Sequence, residues 1–282
     1  MRFPIKLNRR YWPARVTALL PSAEDPRVLL DSNVSEEDFS KSVSVFQFGN
    51  TFKSTRAFRF PRTLDILKNL AFTSAPAILD IGASDGITSM HTIRTLPFRK
   101  YYVTDLNLDT LVSESGSVTY FYDQQLKAVL AVTDRFVVYA DHAGALFPFN
   151  LVAPRFFDRV PPNPPDERIL LINPSLQPPP EGVEIRRYDV FEPWPEEEVD
   201  LIIAANILNR AYFKDHEIRL AIGNMAGALS ADGWLAVIDN RDREQSTVFQ
   251  LEQGRFKRVH SIDGGTDIED IVLSVEARCS LR

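Results

Sequence analysis

The sequence has a single cysteine, Cys279, among its 282 residues. One cysteine excludes an intrachain disulfide and any metal site built on cysteines, so a reducing compartment fits. The four histidines are scattered without ligand spacing, and we expect no metal. No stretch approaches the ~20 apolar residues of a membrane-spanning helix. Arg9, Arg10, Pro13 and Arg15 interrupt the region where a signal peptide would have its apolar core. We therefore expect a cytoplasmic protein without a transmembrane segment.

An excess of basic residues is also missing. The 32 Lys and Arg residues face 38 Asp and Glu residues, which gives a net charge of −6. A nucleic-acid-binding protein usually shows a basic excess, so no nucleic-acid partner is expected. The N-terminus is locally basic through Arg2, Lys6, Arg9, Arg10 and Arg15. We interpret it as a solvated surface in preference to a site for an anionic partner.

Apolar residues make up 44% of the chain, which is enough for a sizeable core. Short apolar segments alternate with helical patterns. Five of these segments predict strands of one sheet: AILDI (77–81), YYVTD (101–105), VEIRRYD (183–189), VDLIIAAN (199–206) and WLAVID (234–239). Helical faces follow Gly86 and cover 218–229, so the order predicts a parallel sheet with crossover helices. The tail, TVFQLEQGRFKRV followed by IEDIVLSV, predicts a hairpin of two strands.

The stretch 106–182 is far longer than a crossover helix needs. It contains VTYFYD, AVLAV and RFVVYAD, which predict antiparallel strands, and eight prolines between 161 and 180. We interpret it as an inserted β-rich and Pro-rich subdomain, a substrate wall or lid. Its apolar ALFPFNLVAPRFF segment is interpreted as a packed helix in preference to a substrate pocket or a membrane contact. Residues 1–70 would then be an irregular and helical cover, and 71–282 one domain that the insert interrupts.

Residues 78–89, ILDIGASDGITS, contain a D-x-G-x-x-x-G pattern. Gly82 and Gly86 allow a sharp turn from strand into helix and a close approach of a ligand. Asp105 ends the next strand, 23 positions after Gly82. A carboxylate there predicts ribose binding, because it accepts two hydrogen bonds from a cis-diol. A dinucleotide site would have glycine in place of Ser84, so a ligand without a pyrophosphate is favoured.

The ordered series ILDIGASDG, YYVTD, RRYDVF, DLIIAANIL and LSADGWLAVID is similar to the motif series of the class I S-adenosylmethionine-dependent methyltransferases. DLIIAANILNRAYF also resembles the corresponding stretch of the chemotaxis-receptor glutamate methyltransferases. The resemblance covers roughly 60–110 and 183–282. It implies an α/β fold with a Rossmann-like, mainly parallel seven-stranded sheet and a C-terminal antiparallel hairpin. It also implies S-adenosyl-L-methionine as the cofactor and S-adenosyl-L-homocysteine as its product.

The resemblance also implies a role for each matching residue. The cofactor-binding residues are Asp80, Gly82, Ser84 and Gly86 at the methionine end, Asp105 at the ribose, Asp189 and Val190 at the adenine, and Asn206 where the cofactor and substrate pockets meet. The Phe/Arg stretch 52–62 matches a segment that often covers the cofactor in this superfamily. Arg56, Arg59 or Arg62 would then be placed to meet the methionine carboxylate, but for any one of them a surface helix with a buried aromatic face is the favoured interpretation.

The chemistry asks little of the protein, because a sulfonium methyl is already activated and holding the acceptor in line supplies much of the effect. A base is needed only if the acceptor carries a proton. The candidates are Asn209, Tyr212 and His142, although an ordinary hydrogen bond explains a lone histidine and packing under the insert explains Tyr212. Asn163-Pro-Pro-Asp166 resembles the N-P-P-Y signature of amine methyltransferases, but it lies in the insert and ends in Asp, so we interpret it as a turn.

We therefore expect methyl transfer to an O or N atom of a small-molecule acceptor. The alternatives are a protein side-chain methyltransferase and a catalytically silent cofactor-binding partner protein. A nicotinamide oxidoreductase is disfavoured by Ser84. The sequence leaves the acceptor and the oligomeric state open.

Overall fold

The computed structural model describes residues 3–48, 51–53, 59–141, 147–161, 165, 167–240 and 243–276. The chain divides into two compact units. Unit 1 is Met1–Thr55 with Asn107–Pro174, and unit 2 is Arg56–Leu106 with Ser175–Arg282.

The helices and strands follow one another along the chain in this order: β1 (Ile5–Asn8), α1 (Ala14–Thr17), β2 (Ser22–Ala23), α2 (Glu36–Val43), β3 (Gln47–Phe48), β4 (Thr51–Phe52), α3 (Pro61–Lys68), β5 (Ala77–Ile81), α4 (Ile87–Thr95), β6 (Lys100–Asp105), β7 (Asp109–Ser115), β8 (Val118–Tyr122), β9 (Ala128–Val132), β10 (Phe136–Tyr139), α5 (Phe149–Val152), β11 (Glu167–Leu170), β12 (Val183–Arg187), β13 (Val199–Ala205), α6 (Asp215–Ala228), β14 (Leu229–Asn240), β15 (Glu244–Glu252), β16 (Arg255–Ile262) and α7 (Glu269–Ser274). Short 3₁₀ helices cover Pro26–Leu30, Ala153–Phe156 and Pro174–Leu176.

Unit 2 contains a seven-stranded sheet in the order β12-β6-β5-β13-β14-β15-β16. The first five strands are parallel, β15 runs antiparallel to β14, and β16 antiparallel to β15. The predicted Rossmann-like sheet with its C-terminal hairpin is therefore confirmed. The hairpin turns at Gln253 and Gly254, whose φ angles of 51° and 77° are those that a tight two-residue turn requires.

The central strands of the unit 2 sheet, β5 and β13, are mostly apolar because both faces of a parallel sheet are covered. All five residues of β5 are buried. Helix α6 buries Ile218, Ile222 and Met225, which recur at helical spacing. These residues belong to one core cluster with Leu79, Tyr102 and other strand residues. VEIRRYD supplies the third parallel strand as predicted, since β12 pairs with β6.

Unit 1 is built on a second seven-stranded sheet, in the order β11-β7-β8-β9-β10-β1-β2. Its pairs are antiparallel except β1 with β2. Helix α2 buries Phe39 and Val43 in one apolar cluster of this unit, and Ala153 belongs to another. The β-rich character of the insert is therefore present.

The division of the chain differs from the boundaries expected at 70, 106 and 182. Residues 1–55 belong with 107–174, because β1 pairs with β10 in one sheet. Helix α3 and the segment after 174 belong to unit 2. A substrate wall or lid formed by the insert stays a prediction.

Two predicted elements differ from the structure. IEDIVLSV is not a strand of the hairpin but contains helix α7, because Ile268, Ile271 and Val272 are buried at helical spacing. In ALFPFNLVAPRFF, helix α5 buries none of its residues, whereas the 3₁₀ helix that follows it buries Ala153 and packs Phe156 against a core cluster. The prediction of a packed helix therefore holds only for the second half of this segment. Asn163, Pro164 and Asp166 lie outside the described residues. No helix in the described part of the chain is long and apolar enough to cross a membrane.

Candidate cofactor site

Strand β5 turns into helix α4 through five residues, three of which have a left-handed backbone. The φ angles are 70° at Gly82, 60° at Ser84 and 81° at Gly86. The N–H of Ala83 donates to the carbonyl of Thr104 at 2.9 Å, which ties the turn to the neighbouring strand β6. A left-handed conformation costs a non-glycine residue about 1–2 kcal/mol. Ser84 is therefore a strained position that its surroundings hold in place.

Both glycines of the turn are required by contacts within unit 2. A Cβ atom on Gly82 would lie 2.0 Å from Cγ2 of Ile207, and one on Gly86 would lie 2.4 Å from Cδ1 of Leu176. Neither side chain leaves room for a larger residue. The sequence indicated the glycines but not these two partners, since each comes from a distant part of the chain.

Asp80 lies beneath the turn and not on its surface. Its Oδ2 accepts a hydrogen bond from Ser89 Oγ at 2.7 Å and another from Tyr101 Oη at 2.9 Å. Burial raises the pKa of Asp80 to about 6, the negative charge of Asp105 adds to the rise, and the two hydrogen bonds oppose it. The carboxyl group thus ties β5 to α4 and β6.

Asp105 ends β6 and reaches the turn directly. The N–H of Ser84 donates to its Oδ2 at 2.9 Å. Its backbone carbonyl accepts from the N–H of Tyr188, in the segment after β12, at 3.2 Å. A carboxylate can accept several hydrogen bonds at once, which is the chemistry that a pair of ribose hydroxyls requires. The predicted ribose-binding side chain is therefore held beside the glycine turn.

Asp189 and Val190 follow β12 at the same edge of the sheet. Oδ1 of Asp189 accepts from the N–H of Phe191 at 3.0 Å, which closes a local turn. The carbonyl of Val190 accepts from the side-chain amide of Asn224 at 3.1 Å. Val190 is partly buried against the core of unit 2. Both predicted adenine-binding residues lie on the strand end next to Asp105.

Asn206 follows β13 with a left-handed backbone, at a φ of 59°. Its N–H donates to the carbonyl of Ile238 at 2.8 Å, and its Oδ1 accepts from the N–H of Asn240 at 2.7 Å. A backbone N–H can only donate, so the side-chain atom facing it is the oxygen. The remaining side-chain nitrogen, Nδ2, is buried and has no partner among the described residues. An unmatched buried donor costs about 1–3 kcal/mol, so this group suits a ligand atom that accepts.

Two of the three candidate catalytic residues, Asn209 and Tyr212, lie in the part of the chain that the structure describes. Asn209 is buried and builds the loop after β13, with its Oδ1 accepting from the N–H of Ala211 at 3.0 Å. Tyr212 lies three residues further on and is 45% exposed. His142 lies outside the described residues.

Of the three arginines that could meet the methionine carboxylate, Arg62 pairs with a carboxylate of the protein itself. The guanidinium of Arg62 pairs with Asp263 at 3.1 Å. The backbone carbonyl of Arg59 accepts from the side-chain amide of Asn240. Arg56 lies outside the described residues.

Glu244 fixes the start of helix α3, a role that no local pattern indicated. Its carboxylate accepts from the N–H of Arg62 at 3.2 Å, and from the N–H and hydroxyl of Thr63 at 2.6 Å each. A carboxylate at a helix N-terminus satisfies N–H groups that have no partner within the helix. The helix is thereby anchored to the first residue of β15.

At the carboxyl edge of the unit 2 sheet, the structure brings together the glycine turn, Asp105, Asp189 and Asn206. This follows from the parallel register of β12, β6, β5 and β13, since all four strands end at the same edge. Within the described ranges, no three His, Cys, Asp or Glu side chains form a group that could hold a metal ion.

No protein-family model and no curated protein matches the sequence. Among solved structures, the chain is similar to an O-methyltransferase family protein from Burkholderia thailandensis, at 15% identity over 62% of this chain and 36% of that chain, with a TM-score of 0.33. It is similar to the N-methyltransferase NodS from Bradyrhizobium japonicum WM9, at 16% identity over 64% of this chain and 66% of that chain, with a TM-score of 0.34. A structure of NodS in complex with S-adenosyl-L-homocysteine is also similar, at 16% identity over 62% of this chain and 58% of that chain, with a TM-score of 0.33.

The chain thus spans between about a third and two thirds of the length of these proteins. At this degree of similarity, the functional proposal depends on the geometry of the site itself.

Proposed function

We propose that this chain binds S-adenosylmethionine and transfers its methyl group to an O or N atom of a small-molecule acceptor. The observation that carries the proposal is the hydrogen bond of 2.9 Å from the N–H of Ser84 to the carboxylate of Asp105. It joins the ends of two adjacent parallel strands. A ribose acceptor thereby stands beside a left-handed turn that lacks a second glycine for a pyrophosphate.

The side chains at this edge suit the cofactor. Asp105 would accept from the ribose hydroxyls, and Asp189 and Val190 would face the adenine. The unmatched Nδ2 of Asn206 supplies a buried donor at the end of the next strand. Such a donor stabilises a bound oxygen or unprotonated nitrogen more than it would stabilise an ammonium group.

When bound, S-adenosylmethionine supplies a methyl group on a sulfonium that needs no further activation. The residues of this chain would therefore act mainly by holding the two reactants in line. Asn209, Tyr212 and His142 stay the candidates for proton handling. The side-chain oxygen of Asn209 already accepts from Ala211, so Asn209 serves the shape of the loop at least as much as any proton transfer.

The test is calorimetry with S-adenosylhomocysteine on the full chain, comparing Asp105→Asn with Asp200→Asn. Asp200 is a matched control, because its carboxylate also accepts a backbone N–H from a neighbouring strand, that of Ala77 at 2.8 Å, but at the opposite edge of the sheet. We expect Asp105→Asn to weaken binding by about 1–3 kcal/mol. Asp200→Asn should leave the affinity unchanged.

Failure of the folded wild-type protein to bind S-adenosylhomocysteine would contradict the proposal. An equal loss of affinity for S-adenosylhomocysteine in both variants would contradict ribose binding by Asp105. Incubation of the protein with methyl-labelled S-adenosylmethionine and a cell extract tests transfer itself. Label in small molecules supports the proposal, label only in protein supports a protein methyltransferase, and tight binding without any label supports a silent cofactor-binding protein.

A further inference from the structure

An exposed segment near the N-terminus combines leucines with arginines. Leu19 and Leu20 are adjacent in sequence and 85% and 53% exposed, and helix α1 just before them buries none of its residues. Arg10 and Arg15 on the same segment are also exposed. Single exposed leucines are ordinary, but a neighbouring pair within a basic segment is not.

This segment is held in a defined position by unit 1. The indole N–H of Trp12 donates to the carbonyl of Arg135, in the turn between β9 and β10, at 2.9 Å. The guanidinium of Arg27 lies 5.4 Å from the centre of the Tyr11 ring. The exposure of the two leucines is therefore a property of the folded unit.

A second exposed apolar segment lies near the beginning of β1. Phe147, two residues before helix α5, is 77% exposed, and Leu151, within the helix, is 57% exposed. The ring of Phe149 contacts that of Phe3, two residues before β1, with ring centres 6.1 Å apart. Strand β2 runs parallel to β1 with Leu7 opposite Ser22. Residues 19 and 20, which precede β2, therefore lie toward the same end of β1 as Phe3.

The charge of this part of unit 1 is opposite to that of the rest of the chain. Residues 1–23 carry five basic and no acidic side chains, which gives them a charge of +5. Because the whole chain has a net charge of −6, the remaining residues carry −11. Near the second apolar segment, Arg155 and Arg159 are exposed as well. The exposed leucines thus lie within a basic stretch of an acidic protein.

We propose that Arg10, Arg15, Leu19, Leu20, Phe147 and Leu151 form a basic apolar face that binds an anionic lipid surface. Arginines are attracted to acidic headgroups, while leucine and phenylalanine side chains enter the boundary with the acyl chains. A nucleic acid would use the arginines but would gain little from an exposed aliphatic pair. The face therefore fits a membrane surface better than a polyanion in solution, and its role does not depend on methyl transfer.

The test is co-sedimentation of the full chain with vesicles. One set is phosphatidylcholine alone, and the other contains phosphatidylcholine and phosphatidylglycerol at about two to one. We expect binding to the second set only, and weaker binding in about 0.5 M salt. Arg10→Gln with Arg15→Gln should lower the partition coefficient about fivefold for each arginine. Leu19→Ser with Leu20→Ser should lower it at least about tenfold.

The matched control is Leu220→Ser with Arg219→Gln on helix α6. Leu220 is 53% exposed, as Leu20 is, and Arg219 is exposed beside it, but both belong to unit 2. This control should bind vesicles as the wild type does, and all variants should keep the wild-type unfolding midpoint.

Several results would overturn the proposal. They are equal or absent binding to both vesicle sets, loss of binding in the α6 control, and wild-type vesicle binding by the Leu19/Leu20 variant. The last would indicate a polyanion site that uses charge alone. Light scattering that shows a wild-type dimer without vesicle binding, made monomeric by the leucine variant, would assign the face to a second copy of the chain.

Discussion

At the scale of single residues, Asp80 makes the stability of the fold depend on pH. Its pKa is raised to about 6 in the folded protein, chiefly by burial. An unfolded aspartate titrates near pH ~3.9, so the folded state holds the proton more tightly. The contribution of Asp80 to stability is therefore complete below about pH 4 and is lost as the pH rises through about 6.

Asp80→Asn removes this ionisation and can keep an oxygen that accepts from Ser89 and Tyr101. We expect the variant to gain stability relative to the wild type as the pH rises from about 4 to about 7, by up to about 3 kcal/mol. Urea unfolding at several pH values measures this difference. A difference that stays constant over that range would contradict the raised pKa.

The sequence predicted the residues of the site that end strands, because an acid or amide after an apolar run marks a strand end without any knowledge of its neighbours. Asp105 was found in this way, whereas Asn206 was implied by the resemblance of the motif series. Ile207 against Gly82 and Glu244 at the start of α3 were not predicted, since both contacts depend on how distant parts of the chain meet.

At the scale of elements, the turn between β5 and α4 tolerates no side chain at Gly82. Gly82→Ala would place a Cβ atom 2.0 Å from Ile207 and force alanine to a φ of 70°. We expect a loss of more than about 2 kcal/mol in the free energy of unfolding. Thermal or denaturant unfolding measures it.

Gly223→Ala, in the interior of helix α6, is the matched control. A Cβ atom there meets nothing within 4 Å. Alanine favours a helix over glycine by about 0.8–1 kcal/mol, so this variant should be more stable than the wild type. In an Ile207→Ala background, Gly82→Ala should cost less than in the wild type. An equal cost in both backgrounds would show that the contact with Ile207 is unimportant.

The central strands β5 and β13 of the parallel sheet were predictable because each is a buried, mostly apolar run. The tail was not, because a short apolar run such as IEDIVLSV fits both a strand and a helix until its neighbours are known. Helix α5 was misjudged for a related reason. Aromatic content predicts burial, but α5 leaves its apolar residues outside the core of unit 1.

At the scale of the whole molecule, the described residues of the candidate cofactor site all belong to unit 2. S-adenosylhomocysteine should therefore slow hydrogen exchange at the amides of residues 83–86 and at the ends of β5 and β6. Strands β8 and β9 of unit 1 should exchange as before, because a ligand protects chiefly the region that it orders. Protection of unit 1 to the same extent would contradict a site confined to unit 2.

The sequence could not show that residues 1–55 belong to the same unit as residues 107–174. A four-residue strand such as β1 carries no signal that identifies its partner, and its partner β10 begins at Phe136. The predicted cover and the predicted insert are thus parts of one sheet, which only the pairing of Ile5 with Val138 reveals.

The same pairing has a consequence during synthesis on the ribosome. Ile5 emerges 133 residues before Val138, the residue it faces in the sheet. At typical elongation rates, β1 therefore waits on the order of ten seconds for its partner strand. Strand β2 is made soon after β1 and can pair with it early, but the other side of β1 stays unpaired until β10 has emerged.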